Sequence, residues 1–239
     1  MELRTHSVEQ SPLPEVSAYT PEDFLGSLNS LESKHAPPKL FVSGDSELCG
    51  KGRRVAVVGS RRASEAGLRR ARKLTRLLVE ARITVVSGLA EGVDTAAHTA
   101  AIELGGRTIA VLGTALNRVY PRSNAALYHS IVRDHAAVSQ FRIGSIARRF
   151  HFPLRNRTMA LLTDATVVVE AGQRSGTRHQ GWEALRLGRQ LAFLESLASR
   201  RIPWIQEQLD CGAWVLGSEN VEDWITEIPE RAIDDDLPF

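Results

Sequence analysis

From Val55 to Leu194, six short apolar runs alternate with longer amphipathic segments. The runs are Val55–Val58, Ile83–Val86, Thr108–Leu112, Ala136–Ser139, Ala165–Val169 and Leu191–Leu194. Each is about as long as one strand, and most are apolar at consecutive positions. A strand apolar on both sides is buried on both sides, which predicts an α/β fold: a mostly parallel sheet with helices on both faces. The intervening segments have helical spacing. Over Ser64–Ala81, Leu68, Ala71, Leu74, Leu78 and Ala81 fall on one face, and Arg69, Arg70, Arg72, Lys73 and Arg76 on another. Those cations read as a solvated face or as the extension of a polyanion track. With 239 residues and 43% hydrophobic content, the chain has material for one such domain and short appendages.

The first run ends in Gly59-Ser60-Arg61. A strand that passes through glycine into a helix can cradle phosphate, using backbone N–H groups and the helix dipole, with arginine forking onto the oxygens. It is equally an ordinary βα turn. The dinucleotide fingerprint G-x-G-x-x-G and the P-loop G-x-x-x-x-G-K-[ST] are both absent. Ligands of open α/β sheets sit beyond the carboxyl ends of the strands. Four segments are predicted to meet there: Gly59-Ser60-Arg61, Ser87-Gly88-Leu89, Arg155-Asn156-Arg157 and Ser175-Gly176-Thr177. Residues 144–156 are expected to be a loop rich in arginine, with Phe150, His151 and Phe152 among the cations. A short helix over Arg157–Leu162 is expected to follow. His98 is expected to pack or cap within a helix. Glu170, at a strand end, is expected to meet a sugar hydroxyl or to order the arginines.

Charge is unevenly placed. Residues 222–239 hold seven acids and one base, so the remainder carries a net +8. All but four of the basic residues are arginine, which suits bidentate phosphate contact, although coding bias also enriches arginine. Cys49 and Cys211 match no metal spacing, and neither metal nor cofactor is expected. No apolar run approaches the roughly 18 residues of a membrane span. The N-terminus lacks a signal-peptide core, so a cytoplasmic setting with no membrane partner is expected. Residues 1–38 carry five prolines and read as an irregular arm with one short helix after Thr20-Pro21. Lys39–Gly44 reads as an edge strand.

Seven motifs in order carry a specific resemblance: VGSR-x-AS from Val58, VSGLA-x-GVD-x-x-AH from Val86, GG-x-TIAVLG from Gly105, YP-x-x-N from Tyr120, FP-x-RNR from Phe152, VVEA from Val168 and SGT from Ser175. The stretch from Lys39 to Leu194 resembles the DprA/Smf family of bacterial DNA-processing proteins. The resemblance implies an extended Rossmann-like core over residues 39–228 that binds single-stranded DNA without catalysis. It further implies RecA as a candidate partner, a setting of recombination, natural transformation or DNA repair, and a homodimer formed through a short exposed helix. By position, the DNA- or phosphate-binding candidates become Gly59, Ser60, Arg61, Ser87, Gly88, Arg155, Asn156, Arg157, Ser175 and Gly176, with Phe150 or Phe152 stacking on bases. Arg61→Ala and Arg155→Ala are expected to weaken DNA binding without unfolding. The chain has no room for the family's usual N-terminal helical domain or C-terminal winged helix, and Gln140 replaces its usual glutamate.

Residues 229–239 form an acidic tail ending DDDLPF. It resembles the tip of bacterial single-stranded DNA-binding protein, which docks on DNA-maintenance proteins. Asp234, Asp235 and Asp236 would lie along a basic ridge while Leu237, Pro238 and Phe239 enter an apolar pocket. A different class of function also fits: a nucleotide sensor, or a nucleotide hydrolase like the lysine-decarboxylase-like (LOG) group. In that alignment Gln180 stands where the group has its catalytic glutamate.

Overall fold

The computed structural model describes residues 15–231. Nine strands form one sheet: β1 Ser17–Tyr19, β2 Leu40–Gly44, β3 Arg54–Gly59, β4 Thr84–Ser87, β5 Thr108–Leu112, β6 Ala136–Ser139, β7 Ala165–Glu170, β8 Gln190–Leu194 and β9 Trp214–Leu216. Their spatial order is β1-β2-β6-β5-β4-β3-β7-β8-β9. All neighbours from β6 to β9 pair in parallel; β1 with β2 and β2 with β6 are antiparallel. The helices are α1 Glu22–Leu25, α2 Ser30–His35, α3 Glu65–Glu80, α4 Val93–Glu103, α5 Ala125–Asp134, α6 His151–Leu161, α7 Thr177–Arg186, α8 Glu195–Ala198, α9 Pro203–Asp210 and α10 Val221–Thr226.

The consecutive apolar positions of β3 explain the layering. Val55 and Val57 face α3, α4 and Trp224 of α10, whereas Ala56 and Val58 face Met159–Leu162 and Trp204. Both sides are dry, as the unbroken runs predict. From β3 the chain winds outward one way through β4, β5 and β6. It then returns to the other side of β3 with β7 and winds on through β8 and β9. The topological switch point therefore lies between β3 and β7, and a crevice opens beyond their carboxyl ends.

Three local expectations change. The N-terminal arm contains a strand and two helices. Its α2 begins with a capping box, in which Asn29 accepts from the Leu31 and Glu32 amides and the Glu32 carboxylate accepts from the Asn29 amide. Because β1 pairs outside β2, β2 is an interior strand rather than the edge. Finally, α6 begins at His151, six residues before the expected helix, because Pro153 in a first turn removes no intrahelical hydrogen bond. Arg155 and Asn156 therefore project from a helix instead of a loop.

Candidate functional site

A cleft of about 670 Å³ fills the switch-point crevice. One wall is the turn after β3, from Gly59 to Arg62. The facing wall is the turn after β7, with Gly172, Arg174, Ser175, Gly176 and Thr177. Asp94, Arg155 and Asn156 close it from below, and Phe152 flanks it.

The β3 turn is tightly built. A Cβ on Gly59 would come within 2.5 Å of Val93, so glycine here allows α4 to pack against the strand end. The Ser60 amide donates to the Glu170 carbonyl (2.7 Å), and Ser60 Oγ accepts from the Arg62 amide (3.1 Å). The α3 N-terminus is also engaged: the Glu170 carboxylate accepts from the Ser64 amide and hydroxyl. Glu170 thus caps a helix, a role distinct from both roles expected of it. What this wall offers a ligand is the Ser60 hydroxyl and the Arg61 and Arg62 side chains. On the opposite wall α7 starts at Thr177, after its N-cap Gly176, and the Thr177 amide donates to Ser175 Oγ (3.3 Å). The Arg178 and His179 amides donate to the Ser175 and Gly176 carbonyls (3.2 and 3.1 Å), and the Ser175 and Thr177 hydroxyls bond one another (2.7 Å), so this wall offers a ligand those two hydroxyls and the Arg174 side chain.

Arg155 is buried beneath the cleft. Its Nη1 donates to the Val111 carbonyl (2.9 Å) and its Nε to Asn156 Oδ1 (3.1 Å). Its guanidinium lies on Gly88, where any Cβ would overlap it. The Gly88 and Ala90 amides donate to Asp94 Oδ2 (3.1 and 3.2 Å). Burial pushes the Asp94 carboxyl up from its ordinary range, while the nearby Arg155 charge and those amides pull it down. Burial pushes the Arg155 pKa down while the neighbouring Asp94 pulls it up, so a buried guanidinium and a buried carboxyl lie together beneath the cleft.

The other candidates separate. Ser87 is fully buried and its Oγ donates to the Val57 carbonyl (2.7 Å), tying β4 to β3. Arg157 does not line the cleft; its guanidinium pairs with Glu183 at 3.2 Å. His98 is buried against the Thr108 hydroxyl, and burial and the Arg155 charge lower its pKa to about 3, so it packs as a neutral imidazole. Phe152, one of the two stacking candidates, sits at the mouth. The Arg61 guanidinium lies 5.6 Å from its ring centroid, and the Tyr120 ring 5.5 Å away. Phe150 is more than half exposed on the arginine-rich loop, with Arg148 over its ring at 6.0 Å.

Sequence reasoning missed Arg62, Arg174 and His179, which also line the cleft. Arg62 directly follows the VGSR motif, and Arg174 precedes SGT, so adjacency was the available signal. Tyr120 lay within a recognised motif but was given no role. Among the described residues, no cluster of three or more His, Cys, Asp or Glu could hold a metal ion. No described helix is long and apolar enough to cross a membrane.

Fold and cleft together define an α/β protein with an arginine-lined crevice at a Rossmann-type switch point. A model of the DNA recombination-mediator protein A family matches residues 16–228, and the chain belongs to that family. It is similar to DNA processing protein DprA of Streptococcus pneumoniae, with 44% identity over 64% of this chain and 54% of the relative. It is also similar to DprA of Bacillus subtilis, with 33% identity over 87% of this chain and 70% of the relative. The chain thus spans between about half and seven-tenths of the length of these relatives. The solved DprA structure from Streptococcus pneumoniae superimposes with a TM-score of 0.76 at 33% identity, covering 91% of this chain and 76% of the other. A DprA structure from Helicobacter pylori, described for its single-stranded DNA binding mode, gives a TM-score of 0.73 at 24% identity. It covers 89% of this chain and 94% of the other, and it supports the fold.

Proposed function

We propose that this chain is a single-stranded-DNA-binding DNA-processing protein, acting in the cytoplasm in recombination, transformation or repair, and that the switch-point cleft is its DNA site. The observation that carries this reading is the convergence of Arg61, Arg62, Arg155 and Arg174 with the Ser60, Ser175 and Thr177 hydroxyls in one open crevice. Phosphate would sit between the Arg61–Ser60 wall and the Ser175–Thr177 wall, over the buried Arg155 guanidinium. A base would lie on Phe152, beside Arg61 and Tyr120. Gly59 and Gly88 contribute by allowing close packing, Ser87 by fixing the floor, and Arg157 by bracing α6 against α7. The reading is one of binding rather than hydrolysis. At the position of a hydrolase's glutamate, Gln180 presents an amide, which carries no titrating proton, and its Nε2 lies 3.4 Å from Thr166 Oγ1.

The tail from Asp234 to Phe239 lies outside the described residues and remains a sequence-based proposal: it docks on proteins that recognise the tip of single-stranded DNA-binding protein, with RecA a further candidate partner. A homodimer formed through a short exposed helix remains part of this reading, and the edge strand β9, with Trp214 and Val215 exposed, is a second candidate surface. The test is fluorescence anisotropy with labelled oligo-dT at two salt concentrations, using the intact chain and one ending at Ile233. Binding by both, weaker at high salt, supports the cleft as the DNA site and the tail as a separate docking element. Binding by neither removes the DNA reading. A melting shift with a mononucleotide in its place would favour the nucleotide-sensor reading.

A further inference from the structure

We propose that α3 carries the DNA strand out of the cleft, along a stripe formed by Arg69, Arg72 and Arg76. This rests on the DNA reading above and extends it to a second, outer contact. Spacings of three and four residues place the three side chains on one helix face, at steps of about 5 Å along the axis. All three are exposed, and none pairs with a carboxylate among the described residues. Six other arginines, Arg133, Arg157, Arg178, Arg186, Arg189 and Arg231, do have a carboxylate partner. Between residues 61 and 76 there are seven cations and a single acid, Glu65. The stripe is also continuous with the site, because α3 begins just after Arg61 and Arg62 on the cleft wall. A regular row of unpaired cations leading away from an arginine-lined cleft matches a ligand whose negative charges repeat at regular intervals.

An acidic protein segment is the competing occupant. The same helix borders a small apolar groove of about 170 Å³, floored by Leu74, Leu77 and Leu216. The cations on that groove are Arg70 and Lys73, whereas Arg69, Arg72 and Arg76 do not line it. The stripe therefore stands apart from that groove, on the helix that leaves the cleft wall.

The test compares the wild type with the triple variant Arg69→Ala, Arg72→Ala, Arg76→Ala; alanine preserves helix propensity. Anisotropy is read against salt with oligo-dT of about 5 and about 25 nucleotides, the shorter filling only the cleft. The triple variant is expected to lower the log–log salt slope for the long oligonucleotide by about 2, from roughly 0.7 per lost phosphate contact, and to leave the short one unchanged. An unchanged slope on the long oligonucleotide overturns the proposal and returns α3 to a solvated face. Equal losses on both lengths also overturn it, since the stripe would then act only through the general field. If the variant keeps its DNA slopes but loses affinity for an acidic peptide, the stripe is a protein surface. A wild type that binds neither oligonucleotide overturns the DNA reading itself, and a melting curve confirms that each variant is folded.

Discussion

The Glu170 carboxylate at the end of β7 accepts two hydrogen bonds from Ser64, from the amide at 2.9 Å and the hydroxyl at 2.5 Å. This pair joins the two strand ends that flank the switch point and closes the α3 N-terminus to other anions. The Ser64 hydroxyl in turn accepts from the Gly67 amide (3.0 Å), so cap and carboxylate form one relay. Glu170→Ala is expected to cost about 1–2 kcal/mol through loss of the relay. That corresponds to a fall in melting temperature of roughly 3–6 °C for a domain of this size. An unchanged thermal midpoint would show that Glu170 does not hold α3 in place.

Arg155 is structural as well as a cleft residue, which revises the expectation that Arg155→Ala acts on binding alone. Its removal takes the Nη1 donor from the Val111 carbonyl and the neighbouring positive charge from the buried Asp94 carboxyl, a loss of about 1–3 kcal/mol. Arg155→Ala is therefore expected to lower stability markedly in urea unfolding. Gly88→Ala should resemble it, because the new methyl group would occupy the guanidinium's place. Equal unfolding midpoints for wild type and both variants would refute the packed-floor account.

Glu32 accepts from Arg189 at 2.5 Å and Arg231 at 2.7 Å, linking α2 to the end of the described chain. Burial raises its pKa, but the Arg231 hydrogen bond, the Asn29 amide and the charges of Arg189 and Arg231 outweigh burial and hold it at about 2. The folded-state value lies below the ordinary 4.5, so the stabilisation is present above pH 4.5 and is lost as pH falls toward 2. Its size is roughly 3 kcal/mol. Glu32→Gln should be less stable than wild type at pH 6, with the gap narrowing steadily below pH 4.5. A gap independent of pH would mean that the ion pairs do not carry the effect.

Two aromatic residues separate stacking from display. Phe152 meets Arg61 and Tyr120 at the cleft mouth, whereas Phe150 projects from the loop beyond it. Phe152→Ala is expected to weaken oligo-dT binding about tenfold, in line with roughly 1–3 kcal/mol per stacked base. Phe150→Ala should change it less. The reverse ranking would move the base platform onto the loop.

The six apolar runs announced the sheet because each strand's burial on two sides is written in consecutive residues. The cleft was legible for the same reason: parallel strands end on one side, and glycine, serine and arginine followed several of those ends. What stayed hidden depends on partners far along the chain. Nothing near Arg157 signals Glu183, 26 residues away, and nothing near Ser64 signals Glu170. The start of α6 was missed because Pro153 and the surrounding arginines resemble a loop, although proline is tolerated in a first turn. β1, three residues long and with two of them exposed, carries no periodic signal at all.

The central claim is that the cleft, rather than overall positive charge, holds the nucleic acid. The most direct measurement compares Arg61→Ala with Arg157→Ala by oligo-dT anisotropy at one fixed salt concentration. Each variant removes one positive charge, but Arg61 lines the cleft and Arg157 turns away to Glu183. The account predicts a roughly 10- to 100-fold loss for Arg61→Ala, from one charge-assisted contact of about 1.5–3 kcal/mol, and a change within about twofold for Arg157→Ala. Equal losses in the two variants, or undiminished binding by Arg61→Ala, would contradict it.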